Sequence, residues 1–440
     1  MSTALALPFD QIRRAVIPVL VDGAEQFLSD SSQDSEELLS AVFARGVWSR
    51  ISEPGDSLAG WLIENLGALE ALRVVIDDMS AQTLVLTVHA SQHGIQTSDE
   101  NRTGGTSSRE SVRGQEFLKR LESARLGWRS RLDAQRSLGD FRGASRMGAR
   151  LFTPEQLFWP QQLNDLRAHA PHALWVIGQP KLAMNHSLAV VGSRAATNYG
   201  EFVTRDIVHG VAKRGITIVS GGAYGIDAVA HRAAIMNNGD TIAVFAGGID
   251  RRYPSGNENL FDSIAENGLL CAEQAPGSSP TKWRFLQRNR IIAALANATL
   301  VCEAGHRSGS LNTAGHASEL ARPVGAVPGP VTSAASAGCH RLLREYSAIC
   351  VRNSEDALEL LPNFQQDAGV SVGAVDLPGQ TPQHRRVLDA LARRKPKQAE
   401  EVSQSSGMDY FATLDTLAEL NVLGLAHQVP AGWLRGAAKN

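Results

Sequence analysis

The 440-residue sequence has only four cysteines, Cys271, Cys302, Cys339 and Cys350, and none stands in a CxxC or zinc-type spacing. A disulfide framework and a zinc site are therefore not what organises the fold, and reduced thiols in a cytoplasmic protein are the expectation. An excess of one charge is also missing: Lys plus Arg number 43 against 45 for Asp plus Glu, a formal net charge of −2. Such a chain has no global attraction for nucleic acid or membrane, so any polyanion site has to be local. No apolar run is long enough to span a bilayer. Arg13 and Arg14 interrupt the apolar N-terminal stretch, and no small-residue cleavage site follows. The patterns GxSxG, HExxH and GxxxxGK[ST] do not occur, which argues against a nucleophile elbow, a zinc protease and a P-loop ATPase. No metal or cofactor is expected.

What is present is ample core material, 43% hydrophobic residues with 20% charged, over a length that suits two or three domains. From about Asp34 to Val88, apolar residues such as Leu38, Leu39, Val42 and Phe43 recur at helical spacing, which predicts a small helical unit within residues 1–150. Residues 91–116 hold Ser, Thr, Gly and charge with almost no apolar side chains, and are expected to be disordered. The stretch 119–150 is rich in arginine, including Arg125, Arg129, Arg131 and Arg136. It reads as a solvated helix face or as a phosphate-binding stripe, the former being the simpler. Residues 363–382 are a mixed Gly, Pro and polar linker, and 383–440 carry three helical patterns and a Gly-bounded apolar tail, the outline of a winged-helix-like domain. Its third helix holds Asp409, Asp415 and Glu419 with no Lys or Arg, so a protein contact or a dimer role is at least as well suited to it as DNA reading.

Between these flanks, apolar runs at 187–192, 216–220, 241–246, 268–272, 298–303 and 323–327 alternate with helical stretches. Nearly continuous apolar strands with helices between them predict an α/β domain over 151–362, a Rossmann-like, doubly wound, mostly parallel sheet. Ligands in such sheets lie beyond the carboxyl ends of the strands, where this chain places glycine-rich turns. Gly192-Ser193-Arg194 offers a close backbone, a hydroxyl and a guanidinium to a phosphate, and Gly221-Gly222 opens a helix whose first turn holds Asp227. Either turn can equally be a tight structural connection. Ser220, Asp227 and His231 do not make a convincing hydrolytic triad without a nucleophile elbow. Arg251 and Arg252 line the mouth or flank a surface turn.

The run Lys282-Trp283-Arg284-Phe285-Leu286-Gln287-Arg288-Asn289-Arg290 interleaves four cations with aromatics. That mixture suits single-stranded nucleic acid, because charge follows the backbone and a ring stacks on any base. Its alternative is a basic helix start with Trp283 and Phe285 in the core. Ser308-Gly309-Ser310 opens a further helix after the strand that ends at Glu303, a lone carboxylate read as an acceptor that orients Arg288 or Arg290.

Taken in order, GSR, SGGAYGIDAVAH, GGIDRRYPSGN, FLQRNRII, CEAGHRSGSLNTA and VGAVPGPV resemble the DNA-processing protein A (DprA/Smf) family over residues 150–362. The resemblance implies a homodimer that binds single-stranded DNA and loads the RecA recombinase onto it in natural transformation (competence) and recombination, without catalytic turnover. Carried over by motif, the DNA-binding candidates are Gly192, Ser193, Arg194, Gly221, Gly222, Lys282, Phe285, Arg288, Asn289, Arg290, Ser308 and Gly309. One departure is Gly338-Cys339-His340, where the family commonly has an Asn at the third position. The rival is an enzyme of similar architecture, a nucleotide phosphoribohydrolase. Its PGGxGTxxE core is missing here, although Glu319 stands on the corresponding helix.

Overall fold

The computed structural model describes residues 5, 7–21, 33–93, 108–362, 382–392 and 395–436. The chain divides into two compact units, Met1–Phe364 and Gln365–Asn440. The first opens with a helical layer: α1 (Phe9–Val16), α2 (Gln33–Ile51), α3 (Ser57–Leu66), α4 (Ala68–Ile76), α5 (Ala81–His93), α6 (Ser108–Ser130) and α7 (Ala134–Arg146). Local chemistry sets the helix starts. The Asp56 carboxylate accepts the Leu58 and Ala59 N–H groups at the head of α3, and Asp133 does the same for Arg136 N–H at α7. The expected disorder over 91–116 is corrected at both ends, since α5 runs to His93 and α6 starts at Ser108; residues 94–107 lie outside the described residues.

The sheet of this unit has the order β1-β2-β6-β5-β4-β3-β7-β8-β9. Its elements are β1 (Arg150–Phe152), β2 (Leu174–Gly178), β3 (Ser187–Gly192), α8 (Asn198–Ala212), β4 (Thr217–Ser220), α9 (Ile226–Met236), β5 (Thr241–Gly248), α10 (Glu258–Asn267), β6 (Leu269–Gln274), α11 (Lys282–Leu295), β7 (Ala298–Glu303), α12 (Ser310–Glu319), β8 (Val324–Ala326), α13 (Ala337–Glu345), β9 (Ile349–Cys350) and α14 (Ser354–Glu359). Strands β3 to β9 pair in parallel, and the predicted strands match β3 to β8. Unforeseen were β9 and the antiparallel edge, in which β2 pairs with β6 and β1 with β2. Helices α11, α12 and α13 bury apolar residues on one face of the sheet, and α8, α9 and α14 on the other.

Aromatic packing joins the helical layer to the antiparallel edge. Phe43 of α2 stacks on Phe141 of α7 with centroids 5.2 Å apart, and Phe141 meets Trp175 of β2 edge-on at 5.4 Å. The Trp175 indole N–H donates to Ser49 Oγ at 3.0 Å, which satisfies the one polar atom of a ring that is otherwise core. The arginines of 119–150 belong to this layer and are not one continuous stripe. Arg125 is buried against Asp78 and Glu122, Arg129 pairs with Asp78, and Arg131 lies 3.1 Å from Glu53.

The second unit holds α15 (Pro382–Ala390), α16 (Ala399–Ser406) and α17 (Tyr410–Val422), followed by the antiparallel hairpin of β10 (Ala426–Val429) and β11 (Gly432–Arg435). Val387, Val402, Leu417, Leu420 and Trp433 form its apolar centre.

Within the first unit, Arg290 and Glu273 form an ion pair at 2.5 Å, with side chains 3% and 10% exposed. Truncating Arg290 to Ala strands the carboxylate and is expected to cost about 3–5 kcal/mol in urea unfolding, whereas replacing both partners by apolar residues of similar volume costs far less. An Arg290→Ala destabilisation below about 1 kcal/mol, well under the range for a broken buried pair, contradicts this.

Candidate functional site

In the sheet, the chain steps outward from β3 through β4 and β5 to β6, then returns to the other side of β3 with β7. That reversal leaves a crevice at the carboxyl ends of β3 and β7, the place where open α/β sheets hold ligands. A cleft of about 470 Å³ lies there. Its rim is the β3 turn Gly192-Ser193-Arg194, the β7 turn Gly305 to Ser310, and the face of α11 that bears Phe285, Leu286 and Asn289. The close approach of β3 to α9 needs glycine at 192, because a Cβ there would lie 2.6 Å from Ile226 Cγ1.

Helix α11 starts where Thr281 Oγ1 accepts the Arg284 N–H. Its period places Lys282, Phe285, Leu286 and Asn289 on one face. The expectation that Phe285 and Trp283 are either core or ligand-facing resolves toward solvent: Trp283 is 56% exposed, and Phe285 is partly buried on the cleft wall. Arg194 lies over the Phe285 ring at 5.1 Å, Arg288 at 5.8 Å, and Tyr253 leans against it with centroids 5.5 Å apart. Arg288 is buried. Its guanidinium donates to the Gly221 carbonyl at 2.8 Å and to the Val244 carbonyl, and Nε donates to Asn289 Oδ1 at 3.3 Å. Burial lowers its pKa to about 10, which leaves it charged at neutral pH, and the neighbouring Asp227 opposes that shift. Asp227 is buried as well. Burial raises its pKa against the pull of Arg288 and of the Ala223 and Gly221 N–H groups, which donate to its carboxylate. Arg194, Lys282 and Arg307 are exposed and make no ion pair among the described residues, so an unneutralised positive field stands at the mouth.

The twelve candidates separate into two groups. Gly192, Ser193, Arg194, Phe285, Arg288, Asn289, Ser308 and Gly309 line the cleft, and Lys282 lines an adjoining hollow that shares Arg194 and Phe285 with it. Gly221 and Gly222 do not line either. They lie behind the wall, Gly221 under the Arg288 guanidinium and Gly222 with its carbonyl accepting from Asn257 Nδ2 at 3.0 Å. Arg290 is also outside the cleft, taken by Glu273 and the His169 carbonyl. Arg284 is held by both oxygens of Glu53, so two of the four cations in the run, Arg284 and Arg290, are committed to ion pairs outside the cleft. Glu303 orients neither Arg288 nor Arg290; it accepts from Thr197, whose backbone N–H lies at 2.9 Å. Ser220 Oγ donates to the Val190 carbonyl and His231 meets Thr241, so no triad forms. Arg251 pairs with Asp250 and Arg252 with Asp262, while the tyrosine that follows them reaches the site. Among the lining residues that the sequence reading did not single out are Tyr253, His306 and Arg307. Glu319 is not among the lining residues and pairs with His316.

Residues 150–362 match the family model of DNA recombination-mediator protein A. A DNA processing protein of DprA type from Mycobacterium tuberculosis is 42% identical over 319 residues, 69% of this chain and 81% of the relative. This chain belongs to the DprA family. The DprA of Streptococcus pneumoniae is 41% identical over 200 residues, 46% of this chain and 70% of the relative. The solved structure of DNA processing protein A from that organism aligns with a TM-score of 0.52 at 29% identity, covering 68% of this chain and 96% of that one. Protein Smf of Escherichia coli is 36% identical over 293 residues, 65% of this chain and 77% of the relative. Where the DprA pattern commonly has an Asn, His340 places Nε2 3.0 Å from the Gly329 carbonyl.

Two expectations follow for this DprA-family chain. A Cβ at Gly221 would lie 2.4 Å from the Arg288 guanidinium, whereas nothing lies within 4 Å of one at Gly309. Gly221→Ala should therefore lower the melting temperature by several degrees and Gly309→Ala should leave it nearly unchanged, a contrast that thermal unfolding reads directly. His172 and His231 are buried, and desolvation lowers each from 6.5 to about 3. Both stay neutral when folded but take up protons below about pH 6.5 when unfolded, so stability is lost as pH falls from 6.5 toward 3. The slope is up to about 1.4 kcal/mol per pH unit for each ring. His231→Gln should flatten the pH 7 to pH 5 decline in urea unfolding, and an unchanged slope overturns the assignment.

Proposed function

We propose that this chain binds single-stranded DNA in the cleft, without catalytic turnover, and passes it to the RecA recombinase. The observation that carries the reading is Phe285, a partly exposed ring with Arg194 at 5.1 Å, in a cleft whose outer cations have no carboxylate partner among the described residues. A ring at that position stacks only on an unpaired base, which gives the preference for single strands, while Arg194, Lys282 and Arg307 neutralise phosphates whatever the sequence. The Ser193 and Ser308 hydroxyls supply polar partners for sugar and base edges, and Asn289 braces the wall behind them through Arg288, Gly309 and Asn312. The absence of turnover is supported by the state of the carboxylates: Asp227 is held by two N–H groups beside Arg288, and Glu303 by Thr197.

The RecA step draws on the family's description as a recombination mediator and on DNA processing as the role carried in its relatives' names. In the same reading the chain is a homodimer, whose two clefts raise avidity for one strand, and natural transformation is its setting. The C-terminal unit, three helices and a hairpin, is read as winged-helix-like. Its α17 exposes Tyr410 and Phe411 and carries no basic residue, which favours a protein contact over a phosphate contact.

The test is fluorescence anisotropy of labelled single- and double-stranded oligonucleotides across a salt series. Wild type should prefer the single strand. Phe285→Ala should weaken binding about tenfold. Arg194→Ala combined with Lys282→Ala should make the slope of log K against log salt shallower by about 0.7 for each phosphate that is no longer neutralised. Equal affinity for duplex, or a Phe285→Ala variant that binds like wild type, overturns the reading. RecA filament nucleation on the same strand, followed with and without the chain, tests the second half.

A further inference from the structure

Phe285 lines two hollows. Beyond the cleft, a second hollow of about 510 Å³ shares Arg194, Phe285 and Leu286 with it and is closed by Tyr253, Thr281 and Lys282. Phe285 is therefore a partition between two compartments. The far wall of the second is a tyrosine with 49% of its surface exposed.

Tyr253 is held outward by the rest of its loop. Ile249 and Pro254 on either side are buried, Asp250 Oδ1 accepts the Gly277 N–H at 2.7 Å, and Arg252 pairs with Asp262. Its ring is inclined at 59° to Phe285, so the two do not close into a parallel stack that would consume both faces. The phenolic hydroxyl makes no hydrogen bond among the described residues, so burial of a polar tip does not explain the position. An aromatic ring whose loop is fixed before any ligand arrives gives up little conformational freedom when a base lands on it. The cations suit the same occupant. Lys282 stands in the first turn of α11, where the helix dipole disfavours a positive charge, and has no acidic partner among the described residues. A phosphate of a strand that passes over the two rings removes that penalty and also meets Arg194, which borders both compartments.

We propose that the strand crosses the Phe285 ring and places a second unpaired base against Tyr253, with the intervening phosphate held by Lys282 and Arg194. This rests on the reading that the cleft binds single-stranded DNA. It makes Tyr253 a second stacking platform, and it makes the bound stretch longer than the first cleft alone can hold.

The experiment is a length series of fluorescein-labelled oligothymidylates, three to about ten nucleotides, bound to the full chain and to Tyr253→Ala, Tyr253→Phe and Phe285→Ala, with thermal unfolding of each variant as a control. Phe285→Ala is expected to weaken binding at every length. Tyr253→Ala should match wild type on the shortest strands and fall about tenfold behind once the strand is long enough to enter the second hollow, and Tyr253→Phe should restore the wild-type curve. Tyr253→Ala equal to wild type at all lengths, with Phe285→Ala still impaired, overturns the second platform and leaves the first standing. An equal loss at every length makes Tyr253 a support for Phe285 and likewise overturns it. Wild-type affinity in both alanine variants, or no binding by the wild type, removes the single-strand reading itself. Should Tyr253→Ala melt early, Tyr253→Leu, which keeps apolar bulk without a π face, takes its place with the same outcomes.

Discussion

One buried guanidinium organises the cleft. Arg288 enters the wall from α11 and donates to the Gly221 carbonyl just after β4 and to the Val244 carbonyl within β5, with the Asp227 carboxylate of α9 close enough to favour its charge. Burying a cation is costly unless acceptors are already in place, and here they come from backbone carbonyls whose positions the sheet has fixed. The consequence runs both ways. The strand ends are tied to α11, and Phe285, one turn earlier on that helix, acquires a fixed position with cationic groups near its ring. Gly221 is part of this arrangement because a side chain there would occupy the guanidinium's place.

This explains why the sequence revealed some of the site and not all of it. Strands β3 to β8 were legible because each is a continuous apolar run closed by glycine, proline or a polar residue, a pattern set within half a dozen positions. Strands β1, β2 and β9 were not, being short or lying outside that alternation. The sorting of cations could not be read locally at all. Arg284 and Arg290 look like Lys282 and Arg288 along the chain, yet Arg284 is claimed by Glu53, 231 positions away, and Arg290 by Glu273. Gly221 and Gly222 fall outside the cleft lining for a related reason: a glycine after a strand serves a ligand and a buried neighbour equally well. Tyr253 lay hidden behind two arginines that drew attention by charge alone.

The same sorting shows how a nearly neutral chain produces a strong local field. Arg45, Arg50, Arg125, Arg131, Arg284 and Arg290 each face a carboxylate, and most of these pairs stitch the helical layer to itself or to the sheet. With those charges cancelled at short range, the few cations at the cleft mouth without partners among the described residues dominate the potential there. Screening by salt acts on that remainder and scarcely on the internal pairs, so ionic strength can govern what the surface holds without loosening the frame beneath it.

The region that matches the family begins at residue 150, but the apolar centre does not respect that boundary. One continuous cluster runs from Val42 and Phe43 of α2 through Phe141 of α7 to Trp175 of β2 and on to Phe245 and Leu270 in the sheet. The helices of the layer are therefore the missing half of a sandwich whose other half carries the chemistry. Cut at the family boundary, this gene would yield a sheet with one greasy flank open to its neighbours, prone to clump long before it met a nucleic acid. The stretch that matches the family and the stretch that closes this apolar centre are different lengths of the same polypeptide.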